Sequence, residues 1–276
     1  MAGAVERSDP GGGDPRVDPA RSGHDGPVQM PAAEPAGGLA GGPAAAADRY
    51  WSAMDRDRTV ARSIGRAGRA LGLLAGAEIR SGKLLDVGCG PGWAMERFRE
   101  AGFDVRGVEI SPAAAAEAQR RGFAVDVVDV ETGGLGFDPD ARFDAVTALE
   151  VLEHVRDPLR LIRAMTRVLS PGGKLVVSLP NELHVPRRLA ILIGLPQAAG
   201  HRQFGGHDDP HVRFFTPRLA RRLFEAAALR ELACAWDGMA PARWGFLKGL
   251  SDLLARVGPS GFALSGLYLL EPEVPR

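Results

Sequence analysis

The chain has 276 residues, enough for one large α/β domain with appendages, and its 45% hydrophobic and 25% charged residues are typical of soluble globular proteins. Lysine plus arginine and aspartate plus glutamate both number 34, so the formal net charge is zero and no general attraction to nucleic acid or anionic membranes is expected. The two cysteines are too few for a disulfide framework and lack any metal-binding spacing.

The N-terminal part divides into two segments. Residues 1–46 are mostly Gly, Pro, Ala and Asp, which cannot bury enough surface to offset their chain entropy, so we predict a disordered tail. Residues 47–80 carry apolar side chains at helical spacing, with Arg62, Arg66 and Arg69 between them. This pattern predicts a helical lid packed over a site, or alternatively a basic amphipathic helix that touches a membrane surface.

From residue 83 to residue 180, short apolar runs alternate with amphipathic stretches. The strands that this pattern predicts cover residues 84–87, 105–110, 124–128, 143–149 and 175–179, and the helices cover 93–101, 112–121 and 158–169. Ser111 followed by proline is a helix start signal. Such alternation predicts a doubly wound, mostly parallel α/β sheet with helices on both faces.

After residue 180 the pattern loosens into a loop-rich insertion, 180–215, of the kind that is usually functional in a compact domain. Helices are then predicted over 217–228 and 244–257, and strands over 229–235 and 264–270. The last two strands predict an antiparallel C-terminal hairpin at one sheet edge. The domain over 81–276 would therefore contain a seven-stranded sheet.

The stretch "LLDVGCGPGW", residues 84–93, joins a predicted strand to a predicted helix through three glycines. Gly88 and Gly90 would let the backbone turn tightly and approach a ligand, and the following helix would direct free N–H groups at it. A dinucleotide fingerprint needs a small residue at position 93, whereas Trp93 stands there and Gly92 comes one residue early. A dinucleotide is therefore disfavoured. Cys89 is interpreted as a small packing residue rather than a reactive thiol.

Two acidic residues further along favour an adenosine ligand. Glu109 ends the second predicted strand about 21 residues after Gly88, where a carboxylate accepts hydrogen bonds from ribose hydroxyls. Asp129 follows the third predicted strand, where its carboxylate could accept from the exocyclic amine of adenine. The backbone N–H of Val130 could then donate to a ring nitrogen.

With "FDAVTALEVLEHVRDP" at 143–158 and "LSPGGKLVVSLP" at 169–180, these stretches resemble, in order and spacing, the class I S-adenosylmethionine-dependent methyltransferases. The resemblance is close over 83–180 and looser over "HVRFFTPRLARRLFEAAAL" at 211–229, which is similar to an H-x-R-F-F-T segment of the small-molecule branch. It implies a Rossmann-like fold, S-adenosyl-L-methionine as cofactor, and methyl transfer.

The resemblance also implies roles for individual residues. Asp86 would face the amino group of the methionine moiety, Glu109 would hold the ribose, and Ile110 would pack on adenine. Leu149 and Glu150 would end the fourth strand beside the sulfonium. The implied cofactor-binding set is Asp86, Gly88, Cys89, Gly90, Gly92, Glu109, Ile110, Asp129, Val130, Leu149 and Glu150.

A hydroxyl acceptor would need a general base, and histidine is the usual base at neutral pH. Two candidates are named: His154, for which a packing or cofactor-side role is the alternative, and His211 in the H-x-R segment. His184 and His207 stay open as further candidates. The sequence "HDDPH" at 207–211 has ligand types that suit a divalent ion, but at no standard spacing, so no metal site is predicted.

The acceptor is indicated mainly by exclusion. The fourth strand is not followed by the Asn-Pro-Pro-Tyr or Asp-Pro-Pro-Tyr signature, and with zero net charge this disfavours nucleic acid. We expect a hydroxyl or carboxyl of a small molecule, sugar or lipid-like metabolite. The alternatives are N- or C-methylation, a non-catalytic S-adenosylmethionine-binding regulator of the same fold, and a dinucleotide oxidoreductase. Without a secretory signal or a membrane-spanning stretch we expect a cytoplasmic protein, with peripheral membrane contact left open and no indication of its oligomeric state.

Overall fold

The computed structural model describes residues 42–132, 134–137, 140–194, 212–238 and 245–273. Most of the predicted tail, residues 1–41, lies outside these ranges. Its final stretch, 42–46, instead begins a helix, α1 (Gly42–Ala53). The tail prediction is wrong at this end. Residues 44–47 are all alanine, the residue type with the highest helix propensity.

A seven-stranded sheet forms the centre of the domain. Its strands, in chain order, are β1 (Gly82–Val87), β2 (Phe103–Glu109), β3 (Ala124–Val127), β4 (Phe143–Leu149), β5 (Leu169–Pro180), β6 (Leu229–Gly238) and β7 (Ala263–Pro272). They lie in the order β3-β2-β1-β4-β5-β7-β6. The first five pair in parallel, and β7 is antiparallel to both β5 and β6. The predicted fold class, a mostly parallel sheet with an antiparallel C-terminal hairpin, is confirmed.

The other helices are α2 (Arg56–Gly76), α3 (Trp93–Glu100), α4 (Pro112–Arg120), α5 (Pro158–Arg167), α6 (Val185–Leu192), α7 (Pro217–Ala226), α8 (Gly245–Val257) and α9 (Pro259–Phe262). Side-chain caps fix several of their starts. The Ser111 hydroxyl accepts the Ala114 N–H at 3.1 Å, and the Asp157 carboxylate accepts the Arg160 N–H at 2.9 Å. Because a proline follows each cap, the starts of α4 and α5 agree with the sequence prediction.

The predicted loop-rich insertion contains a helix at its start. Helix α6 is capped by His184, whose Nδ1 accepts the Arg187 N–H at 3.4 Å, and carries a proline in its first turn. These are ordinary helix start signals, and the surrounding glycines and prolines obscured them. Residues 195–211 of the insertion lie outside the described part of the chain.

Two apolar clusters cover the two faces of the sheet. On one face Leu85 and Val87 of β1 pack with side chains of α5 and α7, such as Ile162 and Phe224. On the other, Leu84 and its neighbours pack with side chains of α2, α3 and α4. Alternate residues of one buried strand thus serve opposite layers, as in parallel sheets that are covered on both faces. None of the helices in the described part of the chain is long and apolar enough to cross a bilayer.

The fold also fixes where a ligand can bind. Strand β1 pairs with β2 on one side and with β4 on the other, so the strand order reverses there. In open α/β sheets ligands bind beyond the carboxyl ends of the strands at such a switch point. The glycine turn that follows β1 lies at this position.

Candidate active site

Backbone hydrogen bonds connect the glycine turn to the end of β2. The N–H groups of Gly88 and Cys89 donate to the Val108 carbonyl of β2 at 2.8 and 3.1 Å. Gly88 is exposed and has φ +70°, and a Cβ on it would lie 2.6 Å from a methyl group of Val151. No other residue type would fit this turn without strain. The turn therefore presents bare backbone to the edge of the sheet.

Cys89 takes part in this turn through packing. Its side chain is buried, and a Cβ on Gly107 of β2 would lie 2.6 Å from the Cys89 sulfur. Burial raises the pKa of the Cys89 thiol well above its ordinary value, and the nearby carboxylates Asp86 and Glu109 raise it further. A thiol that stays protonated is a poor nucleophile, which supports the packing interpretation of Cys89.

Asp86 lies near the end of β1, with 2% of its surface exposed. Thr147 of β4, its partner in the strand register, donates its hydroxyl proton to Asp86 Oδ1 at 2.6 Å. Burial raises the pKa of Asp86 from 3.8 to about 7, although the Thr147 hydrogen bond opposes the rise and Glu109 adds to it. Ionised Asp86 is therefore under-solvated. A ligand ammonium group would stabilise it.

Glu109 ends β2 and is 4% exposed. Its two carboxylate oxygens accept the Gly90 N–H at 2.8 Å and the Ser111 N–H at 2.9 Å. Burial raises the pKa of Glu109, and hydrogen bonds from Ser111, Gly90 and Ile110 N–H groups and from the Trp51 side chain oppose that rise. Each oxygen is thus oriented by a backbone N–H group.

Trp51 of α1 is a site residue that the sequence analysis did not single out. Besides its hydrogen bond to Glu109, its ring lies over Gly90, where a Cβ would come within 2.6 Å of ring atoms. It also packs edge-on against Trp93, with ring centroids 5.9 Å apart. An aromatic residue in a predicted lid helix gives no local signal for these contacts.

The predicted adenine-side residues lie just beyond β2 and β3. Ile110 and Val130 are half-buried, and Val130 packs against the apolar cluster that contains Leu85. Asp129 Oδ1 accepts the Glu131 N–H at 2.9 Å, which closes a local turn. The other carboxylate oxygen of Asp129 has no hydrogen bond among the described residues.

Leu149 ends β4, and Glu150 follows it with φ +59°, a left-handed conformation that is uncommon outside glycine. The Glu150 carboxylate pairs with Arg66 of α2 at 2.9 Å and accepts the Ser178 hydroxyl proton at 3.1 Å. The Glu150 N–H donates to the same Ser178 oxygen at 2.9 Å. These contacts fix the strained residue and attach α2 to the end of β4.

His154 lies in a short 3₁₀ helix, Leu152–His154, directly after that strand end. The carbonyl of the buried Glu153 accepts the N–H groups of Val212 and Arg213 at 2.9 and 3.0 Å. The chain returning from the insertion therefore lies beside His154. His211, the other predicted base, precedes this contact but lies outside the described residues, as do His207 and the rest of "HDDPH".

His184, the further candidate, is the cap of α6. Its Nδ1 already accepts the Arg187 N–H, and burial lowers the pKa of its imidazole. A neutral histidine with one nitrogen in a cap has only the other nitrogen left for proton transfer. The structure thus gives His184 a structural role.

The donor set at this edge fits S-adenosylmethionine. Asp86 and Glu109 are buried carboxylates, a chemistry that suits an ammonium group and hydroxyl donors. A mostly parallel seven-stranded sheet with an antiparallel C-terminal strand pair has the architecture of the class I methyltransferase fold.

The chain belongs to the methyltransferase domain family, whose model matches residues 54–232. It is 36% identical over 155 residues to the ubiquinone biosynthesis O-methyltransferase of Idiomarina loihiensis, a match that covers 55% of this chain and 63% of that protein. The chain thus spans less than two thirds of that relative's length. The resemblance to class I S-adenosylmethionine-dependent methyltransferases is confirmed.

Solved structures agree on the fold. An S-adenosylmethionine-dependent methyltransferase from Clostridium acetobutylicum superposes with a TM-score of 0.53 at 12% identity, covering 75% of this chain and 91% of that one. The magnesium protoporphyrin IX methyltransferase of Synechocystis with bound S-adenosylmethionine gives 0.52 at 14% identity, covering 82% and 91%. At these identities the likeness concerns the fold alone.

Proposed function

We propose that the protein transfers a methyl group from S-adenosylmethionine to a hydroxyl or carboxyl oxygen of a small molecule, sugar or lipid-like metabolite. The observation that carries this proposal is the pair of buried carboxylates, Asp86 and Glu109, on either side of the glycine turn. Oxygen as the methylated atom is supported by the identity to an O-methyltransferase over more than half of the chain.

The proposed roles follow from the contacts. Asp86 would bind the ammonium group of the methionine moiety, and Glu109, oriented by two backbone N–H groups, would accept from the ribose hydroxyls. Asp129 and Val130 would contact adenine, and Ile110 would pack on it. Leu149 would lie beside the reacting centre, with Glu150 held by Arg66.

When bound, S-adenosylmethionine supplies a methyl group on a sulfonium. The residues of this chain would hold the acceptor oxygen in line with it and exclude water. A hydroxyl acceptor would pass its proton to a base of this chain as its oxygen takes the methyl group. We propose His154 as that base, because the returning segment at Val212 and Arg213 contacts its neighbour Glu153. His211 stays the second candidate.

The acceptor can be sought with S-adenosylmethionine that carries a labelled methyl group, offered with panels of phenols, sugars, carboxylic acids and lipid-like alcohols. Methyl transfer to an oxygen, detected by mass spectrometry, is the expected result. Transfer to nitrogen or carbon would refute O-methylation. Cofactor binding without turnover on any panel would favour the non-catalytic regulator.

The binding site is tested separately by calorimetry with S-adenosylhomocysteine. Glu109→Ala should weaken binding about 10- to 100-fold, since hydrogen bonds to a charged group contribute about 1.5–3 kcal/mol. Glu100→Ala, an exposed glutamate on α3, is the matched control and should leave binding unchanged. Unchanged affinity in the Glu109 variant would refute the ribose assignment. A cytoplasmic location stays a prediction.

A further inference from the structure

Helix α1 places Trp51 on the two groups proposed to bind the cofactor. A Cβ on Gly90 would lie 2.5 and 2.6 Å from the Cη2 and Cζ2 atoms of the Trp51 ring, so the ring fills the space over that glycine. The Trp51 side chain also reaches the Glu109 carboxylate, where its hydrogen-bonding contact lowers the pKa of that group. One aromatic side chain thus covers both the bare backbone and the carboxylate.

A second residue on the same face of α1 anchors the helix. Asp48, three residues before Trp51, accepts the hydroxyl proton of Ser111 and the Ala113 N–H at 3.2 Å. Ser111 is the cap of α4 and also donates its N–H to Glu109. Residues three apart on a helix lie on one side of it, so Asp48 and Trp51 hold α1 against the end of β2 together.

Apart from these anchors, α1 is loosely attached. It has no buried residue, whereas α2 buries Ala67, Ala70 and Leu74 in the core. The helices are separated by a break at Met54 and Asp55, and Asp55 caps α2 on its own. Segments with few buried side chains open at low free energy, so α1 can move without disturbing α2.

Two cavities among the described residues lie elsewhere in the fold. One of about 650 Å³ lies at the opposite, amino edge of the sheet, lined by residues such as Lys83, Asp104 and Asp144. Another of about 610 Å³ lies between α2, β6 and α8. Neither of these two includes the glycine turn or Glu109.

We propose that α1 is a gate on the cofactor site: Trp51 occupies the ribose side of Glu109, and binding of an adenosine ligand displaces it. This inference rests on the proposed function, because it takes Glu109 as the ribose ligand. The family model matches residues 54–232. Trp51 precedes this range, so the proposed gate lies outside the region that matches the family.

Trp51 and an adenosine ligand cannot occupy the site at the same time. Each Glu109 oxygen already accepts one backbone N–H, from Gly90 or from Ser111. The Trp51 side chain lies against the Glu109 carboxylate, where two ribose hydroxyls would have to approach. The space over Gly90 is also filled by the ring. An adenosine ligand therefore binds only the fraction of molecules in which α1 is open, and its apparent affinity falls by that fraction.

The test is calorimetry of full-length protein with S-adenosylhomocysteine. Trp51→Ala should bind about tenfold more tightly than the wild type if roughly nine in ten molecules are closed. Trp51→Phe keeps a ring but loses the N–H donor, so its affinity should lie between those of the wild type and Trp51→Ala. Asp48→Ala removes the anchor without touching Glu109 and should also tighten binding. Arg49→Ala, exposed on the same helix, is the matched control and should not change affinity.

Tryptophan fluorescence gives an independent measurement. In the wild type, S-adenosylhomocysteine should shift the emission as Trp51 leaves Trp93 and enters solvent, and Trp51→Phe should abolish that shift. Equal or weaker binding by both Trp51→Ala and Asp48→Ala would overturn the gate while leaving the proposed function intact. Failure of the wild type and every variant to bind would overturn the cofactor assignment and the gate with it.

Discussion

Replacing Asp86 with asparagine should make the protein more stable at alkaline pH and weaken cofactor binding. Asp86 is buried, and burial raises its pKa from 3.8 to about 7. Between these values the folded state binds more protons than the unfolded state, so the free energy of unfolding falls as pH rises. The stability is greatest below the unfolded-state pKa and is lost as pH rises through about 7.

The size of the effect follows from the same two values. A rise from 3.8 to about 7 corresponds to about 4 kcal/mol between the charged and neutral forms. Asparagine is neutral at every pH and its oxygen can still accept the Thr147 hydroxyl proton. Because its amide must also be buried, we expect a gain of about 2–4 kcal/mol at pH 8 and less than about 1 kcal/mol at pH 4.

Urea denaturation of both proteins at pH 4, 6 and 8 measures this gain. Asp104→Asn, an exposed aspartate on β2, is the matched control and should give a small difference that does not grow with pH. In calorimetry, Asp86→Asn should bind S-adenosylhomocysteine about 10- to 100-fold more weakly, as expected for loss of a charge-assisted hydrogen bond. A stability difference that is the same at pH 4 and pH 8 would refute the reasoning about buried charge.

Three further predictions concern the architecture of the site. Gly88→Ala should lower the free energy of unfolding by about 1–3 kcal/mol, because φ is +70° and the new Cβ would meet Val151. An unchanged urea midpoint would contradict this. Arg66→Met should cost about 1 kcal/mol through its half-buried pair with Glu150, and a double-mutant cycle with Glu150→Gln should show coupling rather than additivity. Cys89 should resist iodoacetamide in the folded protein, because its thiol stays protonated, whereas fast labelling seen by mass spectrometry would argue for a reactive thiol.

The sequence predicted the strand bounds and helix starts that depend on a few neighbouring residues. The run at residues 143–149 is rich in apolar residues, and β4 has these bounds. Ser111 before a proline predicted the start of α4, which its cap confirms, and the helix starts predicted at residues 158 and 217 agree with those of α5 and α7. These features were readable because strand burial and capping each leave a signal within a few residues.

What could not be predicted depends on pairing between distant segments. Strand β5 begins at Leu169 rather than at residue 175, because Leu169 pairs with Phe143 ahead of a register shift that a Ser-Pro-Gly-Gly sequence does not suggest. The Thr147 hydroxyl reaches Asp86 only through the register of β1 against β4. The contact of Trp51 with Glu109 spans more than fifty residues and leaves no periodic trace in either segment.

The charge at the sheet edge supports the proposed binding of a cationic, hydroxyl-bearing ligand there. Glu150 is neutralised by Arg66 at 2.9 Å, whereas the described residues give neither Asp86 nor Glu109 a cationic partner. Each of these two carboxylates raises the pKa of a buried neighbour, so the fold pays a stability cost to keep them together. An ammonium group beside Asp86 would remove part of that cost, while ribose hydroxyls would replace the Trp51 donor at Glu109. The same two residues that destabilise the ligand-free protein would therefore supply affinity for the cofactor.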